Sequence, residues 1–173
     1  DAFYADEEKW RKVEEIADEV VLVGARGASI TGGEPFQRFD LTTSIIDFLK
    51  SAFGSGFHIH LYTSGYGASK DTIKFLDKLG LDEIRFHVVN DYVWKFVEFA
   101  VRNTSMSVGV EVPAIPSFDY LMNIVKRAEE IGVDFVNLNE LEAAEPNVDR
   151  LLLRGYRIKG VTVVGSREEA LKV

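Results

Sequence analysis

The segment Phe57–Gly80, FHIHLYTSGYGASKDTIKFLDKLG, contains one complete strand-and-helix unit and decides the fold class. Apolar and polar residues alternate over Phe57–Ser64, which predicts a half-buried strand. Ser69 then precedes a stretch of helical periodicity over Lys70–Leu79, and Gly80 follows it. A serine N-cap and a glycine C-cap are the ordinary start and stop signals of a helix. The segment therefore predicts a β-strand followed by an α-helix.

The same unit recurs along the chain. Period-two alternation predicts six strands, at Ala28–Gly32, Phe57–Ser64, Ile84–Val89, Ser107–Pro113, Phe135–Asn139 and Ile158–Val164. Helical segments separate them, at Leu41–Ala52 after an Asp40 cap, Lys70–Leu79, Tyr92–Arg102 and Phe118–Ile131. Strict alternation of strand and helix favours parallel strands joined by right-handed crossovers. We therefore predict an α/β fold, a partial (β/α) barrel of parallel strands, with residues 1–173 in a single domain.

The two ends of the chain carry weaker signals. Helical periodicity over Glu8–Asp18 predicts a helix, and we expect it to continue into Val20–Val23. Near the other end, Ser166 and Glu169 have the spacing of a capping box that opens a last short helix.

Composition restricts the class of partner. The 173 residues include 20 Lys and Arg against 28 Asp and Glu, for a formal net charge of −8. The basic residues are scattered, which argues against a nucleic-acid or anionic membrane surface. No apolar run approaches the roughly 20 residues that cross a bilayer. The chain has no Cys, so it forms no disulfide and offers no thiolate ligand. Cytoplasmic localisation is the default expectation.

One face of the predicted strands is unusually polar. It carries Ser29, Thr31, His58, His60, Tyr62, Ser64, Arg85, His87, Ser107, Glu111, Asn137 and Asn139. The opposite face is apolar, as packing on helices requires. Burying polar groups without partners costs on the order of 1–3 kcal/mol each, so they must be mutually bonded, hydrated or bound to a ligand. We expect a polar ligand cavity, and a satisfied structural network is the alternative.

Residues 31–35, TGGEP, form the most specific motif of the chain. Gly32 and Gly33 allow the backbone to approach a ligand closely and expose its carbonyls. Glu34 adds an anionic acceptor, and Pro35 fixes the turn before the next helix. Such a group suits an ammonium ion. The alternative is a glycine-rich turn without a ligand.

This motif resembles the GGEP motif of the radical S-adenosylmethionine superfamily. The stretch Ala28–Asn139 is similar to the core of that superfamily in the order and spacing of its βα units. The segments HIHLYTSG at 58–65 and NLNELE at 137–142 resemble an archaeal group related to the pyruvate formate-lyase activating enzyme. The resemblance implies an enzyme that binds S-adenosylmethionine beside a 4Fe-4S cluster and cleaves it reductively to a 5′-deoxyadenosyl radical.

The resemblance also implies which residues bind the cosubstrate. They are Gly32, Gly33, Glu34, Pro35, Ser64, His87, Glu111 and Asn137. The two glycines and the glutamate would hold the amino group, while Ser64 and His87 occupy positions that contact the methionyl and ribose parts. Glu111 occupies a polar position on the fifth strand of the family, and Asn137 lies on the strand beside the adenine. No catalytic residue and no metal ligand is assigned.

The sequence departs from the family in its cysteines. Members carry three, spaced Cys-x3-Cys-x2-Cys or close to it, upstream of GGEP, and they hold the cluster. The 31 residues before Gly32 contain none, and the first residue is Asp1. We expect the cysteine loop and the first strand to lie before Asp1 in a full-length parent, and the alternative is a degenerate relative that has lost the chemistry. This chain alone would then be inactive, with an open sheet edge that favours self-association.

Two other classes stay open at this point. His58 and His60 share one strand face, and with His87, Glu111 or Asn137 they form a candidate metal site for a barrel hydrolase or isomerase. A non-catalytic barrel that binds a nucleotide is the other alternative. A cysteine triplet upstream of Asp1 would favour the radical enzyme, and transition-metal content would favour the hydrolase.

Overall fold

The computed structural model describes residues 3–5, 8–10 and 12–173, and the chain forms two compact units, Asp1–Val108 and Gly109–Val173. The assignment of the whole chain to a single domain stays a prediction. Among the described residues, no helix is both long enough and apolar enough to cross a membrane.

The first unit combines parallel strands with helices. Its elements are β1 (Phe3–Ala5), β2 (Glu8–Trp10), α1 (Ile16–Val23), β3 (Gly27–Ile30), α2 (Phe39–Phe53), β4 (His58–Thr63), α3 (Lys70–Leu79), β5 (Glu83–Phe86) and α4 (Asp91–Asn103). Short 3-10 turns at Val13–Glu15 and Pro35–Arg38 precede α1 and α2. Strands β3, β4 and β5 lie side by side in parallel, with Ile30 opposite Leu61 and Leu61 opposite Ile84. Strands β1 and β2 form a separate antiparallel pair.

The core of the first unit lies on the apolar face of these strands. Ile59, Leu61, Ile84 and Phe86 are fully buried. The helix residues buried with them are Ile46, Leu49, Ile73, Leu76, Val93 and Val97. Removal of this apolar surface from water is the main favourable term in folding. The predicted division of the strands into an apolar and a polar face is therefore confirmed here.

The second unit repeats the strand-and-helix pattern. Its elements are β6 (Ser107–Ala114, which begins two residues before the unit), α5 (Phe118–Ile131), β7 (Phe135–Glu140), α6 (Val148–Leu153), β8 (Ile158–Lys159), β9 (Thr162–Val163) and α7 (Ser166–Ala170). Strands β6 and β7 are parallel, with Val110 opposite Val136. Both units confirm the α/β class. In neither unit do the described strand pairings close a barrel, in agreement with the predicted partial barrel.

Two predicted elements are wrong in type. Glu8–Asp18 is not one helix, because Glu8–Trp10 pairs with Phe3–Ala5 in a local hairpin and α1 begins only at Ile16. The predicted sixth strand, Ile158–Val164, folds back on itself at Gly160, whose φ is +64°. Ile158 consequently lies opposite Val163 in an antiparallel pair.

Two predicted helix caps are also wrong. Helix α2 begins at Phe39 rather than after Asp40, because the 3-10 turn capped by Glu34 leads directly into it. Ser166 lies inside α7 rather than at its cap. Its hydroxyl donates to the carbonyl of Ala114 and accepts from the N–H of Leu141, so the buried Ser166 links the ends of β6 and β7 instead.

Candidate functional site

The turn after β3 has an open backbone. Gly32 and Gly33 have φ values of +85° and +58°, in the left-handed region that favours glycine. A Cβ added to either residue would meet no atom within 4 Å. The turn therefore presents main chain, rather than side chains, at the carboxyl end of β3.

Glu34 fastens this turn through its carboxylate. Its Oε1 accepts from the hydroxyl of Thr63 at 2.6 Å and from the N–H of Phe36 at 3.3 Å. Its Oε2 accepts from Ser64, from the N–H at 2.8 Å and from the hydroxyl at 2.5 Å. A carboxylate has about four acceptor positions, so protein donors occupy this one fully. Glu34 therefore ties the end of β3 to the end of β4.

Thr63 also stabilises the contact between Glu34 and the end of β4. Its side chain is buried, and its hydroxyl also accepts from the N–H of Gly65 at 2.8 Å. Gly65 has a φ of +75°, and a Cβ there would lie 3.3 Å from Val93. The chain leaving β4 is consequently held in one conformation beside Glu34. The sequence did not reveal the contact between Thr63 and Glu34, because the two residues are 29 positions apart along the chain.

Pro35 forms the base of the turn. It is buried at the start of the 3-10 turn, and its carbonyl accepts from the hydroxyl of Thr42 in α2 at 3.0 Å. The next residue, Phe36, is buried and stacks on Phe39 with ring centroids 6.1 Å apart. The glycine turn thus stands on a packed base, which limits the conformational entropy that a bound ligand would remove.

His87 lies at the same sheet edge as Ser64. It follows β5, and its N–H donates to the carbonyl of Thr63 at 2.7 Å. The predicted strand Ile84–Val89 ends earlier, at Phe86, because the N–H of Val89 bonds back to the carbonyl of His87. The His87 residue is exposed. The first unit therefore brings the glycine turn, Ser64 and His87 to the carboxyl ends of three adjacent strands.

The remaining predicted residues lie in the second unit. Glu111 accepts hydrogen bonds from the side-chain amides of Asn137 at 3.2 Å and of Asn139 at 2.8 Å. These bonds follow from register, because Glu111 lies directly opposite Asn137. The trio supports the alternative of a satisfied network for these residues. A polar ligand cavity stays a prediction.

The three histidines of the alternative metal site lie at opposite ends of their strands. His58 and His60 lie near the amino end of β4, whereas His87 follows the carboxyl end of β5. His60 lies opposite Glu83, and at about 3.3 Å per residue His87 is roughly 13 Å further along that strand. Glu83 is therefore the carboxylate beside the two histidines. Strand register is the signal that identifies it.

The chain contains no thiolate, so its residues do not fit a 4Fe-4S cluster, whose irons are held by cysteines. The open glycine turn, by contrast, leaves space for a group to approach its main chain. Parallel strands joined by helices define an α/β protein, and the carboxyl ends of such strands, where this turn lies, are where ligands commonly bind in this class.

The model of the Radical SAM superfamily matches residues 2–139, and the chain belongs to this superfamily. A Methanocaldococcus jannaschii protein named "Putative glycyl-radical enzyme activating enzyme" is 36% identical over 188 residues, an alignment that covers all of this chain and 49% of that protein. The chain thus spans about half the length of this relative.

Similarity to a solved structure supports the fold. The radical S-adenosylmethionine methyltransferase TsrM from Kitasatospora setae, solved with cobalamin and a [4Fe-4S] cluster bound, superposes with a TM-score of 0.53 at 10% identity. The match covers 79% of this chain and 32% of that one. The predicted superfamily, and its link to activating enzymes, are confirmed by the family match and the relative.

Proposed function

We propose that this chain is the S-adenosylmethionine-binding part of a radical SAM enzyme and that the Gly32–Gly33 turn receives the amino group of the cosubstrate. One observation carries the proposal. An exposed left-handed Gly-Gly turn lies at the carboxyl end of β3 and is fastened to β4 by the Glu34 carboxylate.

The chemistry of the turn suits an ammonium group. An ammonium has three donors and no acceptor. The carbonyls of the turn can accept from these donors, and neither Gly32 nor Gly33 has a side chain that would block their approach. The negative charge of Glu34 next to the turn adds an attraction that weakens with distance and with solvent screening. A preference for a cationic amine in this proposal rests on the carbonyls of the turn together with the charge of Glu34.

Glu34 acts as a positioning residue in this proposal. Thr63, Ser64 and Phe36 already donate to its two oxygens. A direct bond to the cosubstrate would have to displace one of these donors. We infer that Glu34 holds the turn in shape and supplies charge, while the main chain of Gly32 and Gly33 makes the contact.

The neighbouring residues extend the proposed site. Pro35 anchors the turn to α2 through its carbonyl. Ser64 and His87 would contact the methionyl and ribose parts, and their position after two adjacent strands supports this assignment. Glu111 and Asn137 stay predicted contacts, on the family positions described above. Cytoplasmic localisation likewise stays a prediction.

For the whole protein, the name of the 36%-identical relative supports activation of a glycyl-radical enzyme as the activity. In radical SAM chemistry the cluster supplies the electron that cleaves the cosubstrate. None of the 173 residues is a cysteine, so we assign neither cluster ligation nor electron transfer to this chain.

Asparagine substitutions test the turn with a matched control. Asparagine tolerates left-handed φ better than other non-glycine residues, so Gly33→Asn keeps the backbone and places a side chain in the open space. Gly24→Asn is the control, because Gly24 has a similar φ of +66° and open surroundings but precedes β3. We expect S-adenosylmethionine binding, measured by calorimetry, to weaken by about tenfold or more in Gly33→Asn alone. Equal affinity in both variants would contradict the proposal.

A further inference from the structure

A second cluster of ligand-type side chains lies at the amino ends of β4 and β5. His58 and His60 are two residues apart on β4 and therefore project from the same face. Glu83 opens β5 directly opposite His60. One ligand atom from each of the three lies within 4.8 Å of the other two. Strand register, rather than a loop, creates this convergence.

The set has the composition of a transition-metal site. Two imidazoles and one carboxylate are a common set of three protein ligands for Zn²⁺, with water in the open position. Neighbouring ligand atoms in a tetrahedral zinc site lie about 3.3 Å apart, given metal–ligand distances of about 2.0–2.1 Å. The Nε2 of His58 and the Oε2 of Glu83 are 3.6 Å apart. This pair is therefore close to binding distance, and the ligand atom of His60 lies within 4.8 Å of both.

Arg85 orients the carboxylate. Its Nε donates to Oε1 of Glu83, and its terminal guanidinium nitrogen donates to the hydroxyl of Tyr62 at 2.6 Å. Glu83 therefore presents its other oxygen to His58. Partners of this kind fix metal-ligating groups in many sites. The positive charge of Arg85 also opposes a cation, so it lowers the affinity below that of a site without it.

The exposure of His58 and Glu83 shows whether an ion can reach the cluster and whether a simple ion pair would explain it. The side chain of His58 is 50% exposed, whereas that of Glu83 is 13% exposed. An ion can thus enter from solvent and keep water ligands. A simple ion pair between His58 and Glu83 would be worth little at this exposure, and it needs only one imidazole. A metal ion, by contrast, would also use the second imidazole, whose ligand atom lies within 4.8 Å of those of His58 and Glu83.

We propose that His58, His60 and Glu83 bind a divalent transition-metal ion of the Zn²⁺ type. This site is distinct from the glycine turn, because His60 is three residues, about 10 Å, before Thr63 along β4. It does not depend on S-adenosylmethionine binding. Hard cations such as Mg²⁺ prefer oxygen ligands in octahedral geometry and should not select it.

The three histidines of the chain make a direct test available. The chain is stripped with a chelator, labelled with ¹⁵N and titrated with ZnCl₂, while imidazole signals and heats of binding are recorded. We expect saturation at one equivalent, with shifts at His58 and His60 and none at His87. MgCl₂ should produce neither effect. Unsaturable binding, or shifts at His87 alone, would overturn the proposal.

Histidine variants distinguish the residues that bind Zn²⁺ from the histidine that does not. Loss of a partner that merely orients a ligand typically weakens binding by about 10–100-fold, so His60→Asn should weaken Zn²⁺ binding by at least that factor. His58→Asn removes a half-exposed ligand and is the variant of choice if His60→Asn fails to fold by circular dichroism. His87→Asn is the control and should bind Zn²⁺ normally. Unchanged binding in a folded ligand variant would show that the cluster is not the site.

Discussion

Ser64 donates two hydrogen bonds to the carboxylate of Glu34, from its N–H at 2.8 Å and from its hydroxyl at 2.5 Å. Because Glu34 follows β3 and Ser64 follows β4, this contact joins the carboxyl ends of two adjacent parallel strands. The exposed glycine turn is thereby held in place before any ligand arrives. Such preorganisation reduces the entropy that binding must overcome.

Glu34→Gln should destabilise the first unit. In the glutamine variant an NH₂ group replaces one carboxylate oxygen. This group donates, so it cannot accept from the N–H and hydroxyl groups that now bond to that oxygen. We expect a loss of about 1–3 kcal/mol in the free energy of unfolding, measured by urea denaturation. Glu98→Gln is the control, since Glu98 forms an exposed pair with Arg102 in α4 and should change stability little. Equal stability of the two variants would show that the Glu34 contacts contribute nothing.

Thr63→Val should have an effect of similar size for a different reason. Valine fits the buried space but removes the donor to Glu34 and the acceptor of the Gly65 N–H. A buried N–H without a partner costs about 1–3 kcal/mol. Thr43→Val is the matched control, because the Thr43 hydroxyl bonds to the carbonyl of Asp40 at an exposed position. Equal melting temperatures of Thr63→Val and Thr43→Val would contradict this role of Thr63.

The isolated chain should not acquire a 4Fe-4S cluster. Cluster irons are held by cysteine thiolates, and the chain has none. Anaerobic incubation with iron and sulfide, followed by desalting, should return a colourless protein without the broad visible absorption of a cluster. Stoichiometric retention of iron and sulfide would refute this expectation.

The unpaired edge of β3 should promote self-association of the chain. Among the described strands of this unit, β3 pairs only with β4, which leaves its other edge unpaired. Unpaired edges recruit other chains, and a charged residue on the edge blocks such pairing. We expect concentration-dependent association in gel filtration, reduced by Ser29→Lys on β3 and unaffected by Ser51→Lys on α2. A monomer at all concentrations would contradict the prediction.

Local signals made several elements predictable. Helix α3 spans Lys70–Leu79 as expected, because Ser69 caps it through the N–H of Thr72 and Gly80 ends it with a φ of +93°. The apolar strand faces were predictable for the same reason, since period-two alternation is a property of neighbouring residues. The GGEP turn was identified from two adjacent glycines, and in the structure both have a positive φ.

Contacts between distant residues were not predictable in this way. Glu34 was expected to face a ligand, but its partners Thr63 and Ser64 lie 29 and 30 residues further along the chain. The return of Ile158–Val164 as a hairpin depends on a single glycine that alternation alone does not reveal. Glu83 could be identified as a candidate metal ligand only from the strand register, which places it opposite His60.

Amide mapping of S-adenosylmethionine on the ¹⁵N-labelled chain tests the central proposal most directly. Nuclear magnetic resonance detects weak binding, so the experiment does not depend on a cluster. We predict that the largest shift changes occur at the amides of Gly32, Gly33 and Glu34, with smaller changes at Ser64, and that methionine alone perturbs the same turn through its amino group. Saturating S-adenosylmethionine that leaves these amides unmoved would contradict the assignment of the turn as the amino-group site.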